Sequence, residues 1–496
     1  MDTQMNPRSM MLSELLDSQA FFDNLEGVSI KGISEYSADV EPGDLFIAMS
    51  GLKYAREAIN KGASAIIYNG ALVDENQMTI DAVIPLIECS GLDAKVNLLV
   101  NRFYGDIDET IKTVAITGTD GKSSVAHLAA QALNNTGESC GLIGTLGYGQ
   151  LGVLSESTHT TPPVSRIAKE YFKFQQAGCT AVAMEASSHG IQQGRLKNVP
   201  VHTAVLTNIT RDHLDYHESM EAYVQAKAGL FFDKRPKYAV LNLDDEIAAE
   251  WSLSLASSLN VITFSLMNAR ADVYALEVKY LEDSTFIKLS VKKQVLDVTT
   301  PLLGQFNVFN VLAVAAVLTS LDKGNLEIIE ALNSLTPVPG RMQKILNPAG
   351  CAVIVDYAHT PAALLAALNA VREHCLGNLI CVFGCGGDRD TGKRSEMGEI
   401  ATRNSNFVFI TSDNPRYEDP QEIINQITQG CESSNYKVIV DRKQAIAAAL
   451  EMASANDAVL IAGKGHEKYQ YIKHQKIEFD DVAVASELLA GFVVNG

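Results

Sequence analysis

Short runs of apolar, often β-branched residues recur along the chain, each ending in polar or charged positions. Most are followed by stretches whose apolar residues fall at helical spacing. That alternation predicts strands and helices in turn, as in an α/β protein. Asp44 to Met49 predicts a strand after the Gly43-Asp44 turn, Arg56 to Gly62 a helix, and Ala65 to Tyr68 a second strand. Val114 to Ile116 feeds a glycine-punctuated loop, after which Val125, Leu128, Ala129 and Leu133 mark a helix. Ala181 to Glu185 and Thr203 to Leu206 predict two further strands, and a long Ala/Leu/Val helix opens after Gly304. The last third supplies four more strands: Ala352 to Val355, Leu379 to Phe383, Val408 to Thr411 and Ala458 to Ala462.

At 496 residues the chain is too long for one core, and a prior of about 150 residues per domain suggests three. The expected units are a small N-terminal α/β domain over residues 1–110, a central doubly wound sheet over 111–345, and a Rossmann-like α/β domain over 346–496. Pro339-Gly340-Arg341 marks the last boundary. The net charge of −19 argues against nonspecific nucleic-acid binding. No apolar run approaches the roughly 18 residues of a membrane span, and residues 1–11 lack the pattern of a signal peptide. Eight scattered cysteines fit reduced thiols in a cytoplasm, and Cys381 with Cys385 lacks the second pair of a zinc site. A cytoplasmic monomer free of membrane and nucleic acid is expected.

The loop Gly118-Thr119-Asp120-Gly121-Lys122-Ser123-Ser124 between strand and helix carries the clearest chemistry. Glycines let backbone N–H groups close around phosphate oxygens, and the helix start adds partial positive charge. Lys122 is placed for β/γ-phosphates and the Ser123 hydroxyl for Mg²⁺, although Ile116 occupies the first glycine position of the usual motif. Glu185 and Ser187-Ser188-His189 follow one strand, and Asn208, Thr210, Arg211, Asp212, His213 and Asp215 follow the next. The second cluster suits a metal and phosphate site, or alternatively a capped helix start. Asn307 and Asn310 either read an adenine edge or cap their helix. Lys227, judged from its helix alone, is a solvated side chain. In the last third, all four strands deliver polar groups at their carboxyl ends, the ligand edge of such sheets.

Met184 to Gly190, Asn208 to His217, Gly384 to Arg394, Asp413 to Arg416 and Gly463 to Glu467 together resemble the Mur ligase family. These are ATP-dependent, amide-forming enzymes of peptidoglycan precursor synthesis, and the likeness runs from about Asn101 to the C-terminus. The resemblance implies that ATP phosphorylates the D-glutamyl γ-carboxylate of UDP-MurNAc-L-Ala-D-Glu, and that meso-diaminopimelate then attacks the acyl phosphate. A relative acting on a different, non-nucleotide carboxylate is the alternative, and a non-catalytic nucleotide-binding scaffold a third.

By the same resemblance, the phosphate-loop residues together with Asn310, Arg341, Asp356 and His359 bind ATP. Lys122, Glu185, His213 and Lys227 are the catalytic set. Ser123, Glu185, His213 and a carbamylated Lys227 serve Mg²⁺. Ser37, His159, Thr160, Thr161, Ser187, Gln193 and Arg195 take the muropeptide. Arg389, Asp413, Asn414, Pro415, Arg416, Gly463 and Glu467 take diaminopimelate. Arg416 would pair bidentately with the carboxylate that distinguishes this amino acid from lysine. The chain departs from its relatives at Tyr36-Ser37-Ala38, at the short Gly51 to Tyr54 loop, at His159, and at Asp120, where asparagine is usual.

Overall fold

A computed structural model describes residues 9–17, 27–72, 83–345, 347 and 350–494. Its backbone contacts divide the chain into two compact units. The first comprises Met1–Gly118, Glu138–Ala204 and Arg211–Ala239; the second comprises Thr119–Gly137, Val205–Thr210 and Val240–Gly496. The central sheet is large and parallel-rich, and the C-terminal residues build a second, mostly parallel sheet.

In the first unit, strands Gly32–Ser34, Asp44–Ala48, Ala65–Tyr68 and Leu86–Glu88 pair in that order, all parallel. Successive side chains of a strand face opposite ways, so Leu45 and Ile47 meet helix Leu92–Tyr104 through Val96, Val100 and Phe103. Phe46 and Ala48 meet Ala55 and Ala58 of the short helix on the other face. Strand Ala181–Glu185 lies between Lys112–Thr117 and Cys140–Gly144, parallel to both, and Gly147–Gln150 closes the edge antiparallel. A Cβ on Gly141 would lie 2.7 Å from the Phe174 ring, so glycine there lets helix Val164–Gln176 rest directly on the strand.

In the second unit, helices Lys122–Asn135 and Gln305–Ser320 pack together, and both are buried over most of their length. Strand Asn260–Ser265 pairs parallel with Val273–Tyr280. From there the order departs from strict strand–helix alternation: Val273–Tyr280, Thr285–Val291 and Gln294–Thr300 form an antiparallel meander. The last strand alternates buried Leu296, Val298 and Thr300 with exposed Val295, Asp297 and Thr299, the pattern of a half-solvated hairpin. Its two-residue turn, Lys292-Lys293, has φ of 47° and 68°, the left-handed pair that matches strand twist.

The C-terminal sheet runs Gln343–Ile345, Ala352–Asp356, Ala458–Ala462, Leu379–Phe383, Phe407–Ile410, Tyr436–Val438. Only the first strand is antiparallel, so the other carboxyl ends share one edge. Cores on both faces explain why the inner strands Leu379–Phe383, Phe407–Ile410 and Ala458–Ala462 are apolar at every position. Helices Arg442–Met452 and Asp481–Val494 are joined at their starts by a fully buried pair. Arg442 donates Nε–H to Asp481 Oδ1 at 2.8 Å and Nη2–H to Oδ2 at 2.7 Å. Removing one partner strands the other charge, so Asp481→Ala should lower stability by about 3–5 kcal/mol, read from the urea midpoint. A loss under about 1 kcal/mol would contradict this account.

Among the described residues no helix is long and apolar enough to cross a membrane. The eight cysteines are free, and burial pushes the Cys381 and Cys385 thiols up to about 12.

Candidate active site

Strand Lys112–Thr117 ends in Gly118, and the loop turns through Gly121, at φ 81°, into helix Lys122–Asn135. The loop is braced by the residues after the strand that ends at Leu206. Asn208 accepts twice, from Thr119 N–H at its carbonyl and from Asp120 N–H at its side-chain oxygen, each at 2.9 Å. Thr207 Oγ1 donates to the Asp120 carbonyl at 2.6 Å, and Thr119 exchanges bonds with Thr210. The brace is itself held: Asn242 donates to the Thr207 carbonyl, and Asp245 accepts from Ile209 N–H while capping its own helix. Part of the polar cluster expected to serve metal or phosphate therefore shapes the loop. Asp120 keeps its carboxylate exposed, so the departure from asparagine costs little desolvation. Lys122 Nζ donates to the Thr119 carbonyl at 2.7 Å, and Ser123 and Ser124 are buried at the helix start. Asn310 approaches the loop from the long helix: its Oδ1 lies 3.1 Å from where a Gly121 Cβ would stand. It donates to Asn307 Oδ1, and Asn307 donates to the Leu303 carbonyl, so neither asparagine caps the helix through its side chain.

In the first unit, Glu185 is 2% exposed at its strand end. Its Oε1 accepts from Thr145 N–H at 2.7 Å, and a Cβ on Gly144 would fall 2.3 Å from that oxygen. Thr145 Oγ1 donates to Thr160 Oγ1, and Thr161 Oγ1 donates to the Glu185 carbonyl while accepting from Ser187 N–H. Arg195 donates to the Thr161 carbonyl and to Gln193 Oε1, and Gln193 donates to the Tyr216 hydroxyl. The structure thus gathers Thr160, Thr161, Ser187, Gln193 and Arg195 around Glu185. Ser37 lies apart from that network, donating to Glu57, but its neighbour Tyr36 packs on the His159 ring at 4.5 Å between centroids.

Lys227 corrects the expectation drawn from its helix. It is 1% exposed, donates to the Gly118 carbonyl at 2.7 Å, and lies 4.5 Å from the centre of the Tyr223 ring. A carbonyl more than a hundred positions earlier receives it, which no local pattern discloses. His213 stands at φ 53° before the short helix Leu214–His217, its Nε2 3.4 Å from Asp212 and its ring 5.1 Å from that of His189. Among the described residues no three His, Cys, Asp or Glu side chains converge as a ready-made metal site.

The C-terminal strand ends bring the other candidates together. Asp356 accepts from Met342 and Ala358 N–H, both at 2.8 Å, and burial raises its pKa despite nearby Arg341. Arg341 lies over the Tyr357 ring at 4.5 Å, and Tyr357 also packs against His359 and His466. Arg416 is at φ 51°, bonded through its backbone to Tyr471 and Lys473, and donates Nη1–H to the Gly387 carbonyl at 2.7 Å. Pro415 is buried beside it, and a Cβ on Gly387 would lie 2.0 Å from the Pro415 carbonyl. Arg389 is exposed on the same loop. Asn414 donates to Glu467 Oε2 at 2.8 Å, Asp413 is buried beneath, and a Cβ on Gly463 would lie 3.0 Å from an Asp413 oxygen.

The Mur ligase middle domain matches residues 116–318, and the Mur ligase glutamate ligase domain matches residues 340–465. A UDP-N-acetylmuramoyl-L-alanyl-D-glutamate–2,6-diaminopimelate ligase of Coxiella burnetii is 40% identical over 492 residues, covering 96% of this chain and 99% of its own. The chain belongs to the Mur ligase family. A relative of the same name from Alkalilimnicola ehrlichii is 41% identical over 487 residues, covering 95% of this chain and 97% of its own. A solved structure of a ligase of that name shares 33% identity, covers 98% of this chain and 100% of its own, and has a TM-score of 0.66.

In this Mur ligase several side chains with a part in the site were not singled out from sequence. Thr207 joins Asn208 in bracing the loop after Gly118, Tyr357 supports Arg341, and Lys464 lies at the centre of the Asn414–Glu467 contacts. The Gly-Lys-Gly spacing around Lys464 was a usable signal, because a lysine between two glycines is poorly placed to be a helix-surface residue. Burial also has a consequence for acid stability. It holds His466 neutral, with a pKa pushed down to about 4, and does the same to His127. An unfolded histidine titrates near 6.5, so between that pH and about 4 the unfolded chain binds more protons. The stability present above pH 6.5 is therefore lost as pH falls through this window. Urea midpoints should decline across it, and His127→Gln should make the decline shallower; an unchanged slope would count against burial as the cause.

Proposed function

We propose that this Mur ligase joins an amine of meso-diaminopimelate to the D-glutamyl γ-carboxylate of UDP-MurNAc-L-Ala-D-Glu, using ATP and an acyl phosphate. The observation that carries the reading is the strand-end arrangement in which Arg416 and Glu467 flank Asn414. It offers a guanidinium to a carboxylate and a carboxylate to an ammonium, the two groups at the far end of diaminopimelate. Near-full-length identity to ligases named for this reaction supports it.

A carboxylate resists amines because oxide would have to leave. Transfer of the γ-phosphoryl group of ATP to the carboxylate oxygen, with ADP departing, creates a leaving group. Attack by the neutral amine then forms the C–N bond as the C–O bond breaks, releasing phosphate and a proton. Lys122 draws charge from the phosphates, and the amides at the start of its helix cradle them. Arg341 and Asp356 bind the nucleotide with Asn310 and His359. Thr160, Thr161, Ser187, Gln193 and Arg195 hold the muropeptide beside Glu185, with Ser37 and His159 farther along it.

Two groups have the chemistry a divalent cation takes: Glu185 is a buried carboxylate beside the Thr145 hydroxyl, and Ser123 carries a hydroxyl at the start of its own helix. Ser123 and Glu185 would each offer an oxygen to Mg²⁺, and His213 and Lys227, the latter as its carbamate, would serve a divalent ion as well. When bound, the metal neutralises phosphate charge so that two anions can react. In its amine form Lys227 instead steadies the Gly118 carbonyl.

Phosphate release tests the reading. Release should require ATP, UDP-MurNAc-L-Ala-D-Glu and meso-diaminopimelate together. No stimulation by the pair would reject this substrate assignment and favour a non-nucleotide carboxylate.

A further inference from the structure

We propose that Lys464 is a positioning residue of the amino-acid pocket, one that fixes Glu467 and Asn414 so that a single carboxylate oxygen is presented to the substrate ammonium. The inference rests on the function proposed above and assigns a residue that the reading does not need.

Lys464 sits between Gly463, at φ 116°, and Gly465, at φ 53°, so the loop bends sharply on both sides and turns the side chain inward. Its side chain is 0% exposed. A buried ammonium is costly unless its three N–H groups are satisfied, and here all three have acceptors. Nζ donates to the Tyr469 carbonyl at 2.6 Å, to Glu467 Oε2 at 3.2 Å and to Asn414 Oδ1 at 3.3 Å. Asp413 Oδ1, at 3.8 Å, adds charge without a hydrogen bond.

Two consequences follow from this geometry. Asn414 Oδ1 also accepts from Tyr471 N–H at 3.0 Å, so the amide is locked with its nitrogen toward Glu467. That nitrogen donates to Oε2 at 2.8 Å, the oxygen Lys464 already engages. Both donors therefore fall on Oε2, while Oε1 accepts nothing among the described residues and the Glu467 side chain is 32% exposed. Glu467 is left with one free acceptor in a fixed direction. The hairpin that supplies Tyr469 and Tyr471 also bonds the Arg416 backbone, through Tyr471, so the same contacts set the spacing between ammonium and carboxylate readers.

The test uses the full-length protein. Lys464→Met keeps the length of the side chain and removes its donors. It should raise KM for meso-diaminopimelate by about tenfold or more, and change acyl phosphate trapped by hydroxylamine, without amino acid, far less. If the pocket role runs through Glu467, adding Glu467→Gln to Lys464→Met should worsen KM by less than about twofold beyond the worse single variant. Should Lys464→Met fail to fold, Lys464→Gln, which retains a donor, is measured the same way. A diaminopimelate KM within about twofold of the parent, or losses that multiply, would overturn the positioning role alone. A parent enzyme that releases no phosphate with the substrate pair would overturn the functional reading and this assignment with it.

Discussion

Arg416→Ala should reduce kcat/KM for meso-diaminopimelate by about a hundredfold or more while leaving KM for ATP within about twofold. The expectation follows from how the residue is held. Its backbone adopts φ 51°, a region side chains other than glycine enter at a cost, and two backbone bonds, to Tyr471 and from Lys473, keep it there. One guanidinium edge is engaged by the Gly387 carbonyl, which aims the planar group and leaves other donors for a carboxylate. Lysine offers a point charge without the fork, so Arg416→Lys should recover only part of the loss. Steady-state kinetics with each substrate varied in turn decide the matter. Equal losses for diaminopimelate and ATP would show that Arg416 maintains the domain and does not read the amino acid.

Lys122→Ala should lower kcat by about a thousandfold or more, because the phosphoryl group moves between two anions and charge neutralisation dominates that barrier. Lys122 is the first residue of its helix and donates within its own loop, to Thr119, so it can be removed without opening a core. The thermal midpoint should therefore stay within a few degrees of the parent, about the effect of 1 kcal/mol or less. Acyl phosphate trapping would locate the loss in the first chemical step. A kcat within about tenfold of the parent would remove Lys122 from the phosphate-binding set.

Much of this architecture was legible along the chain wherever local pattern and burial agree. Ala181–Glu185, Leu379–Phe383 and Ala458–Ala462 run as expected from end to end, since strands covered on both faces leave uninterrupted apolar runs. The meander from Val273 to Thr300 was not legible as antiparallel, because its strands are half exposed and its Lys292-Lys293 turn lacks the usual glycine or asparagine. The site divides in the same way. Lys122, Glu185 and Arg416 lie in short motifs, so their neighbours announce them. The burial of Lys227 depends on a distant carbonyl, and Lys464 gains its meaning from Asn414, fifty positions earlier. Partners that far apart leave no periodic trace.

The clamp on the phosphate loop bears on how nucleotide is taken up. Because the Asp120 amide already donates to Asn208, a triphosphate bound as proposed would be met chiefly by the N–H groups that begin the helix at Lys122. The loop's curvature is set before any ligand arrives, so little ordering entropy opposes association. Slackening Asn208 would accordingly weaken nucleotide capture from behind, with no phosphate contact of its own lost.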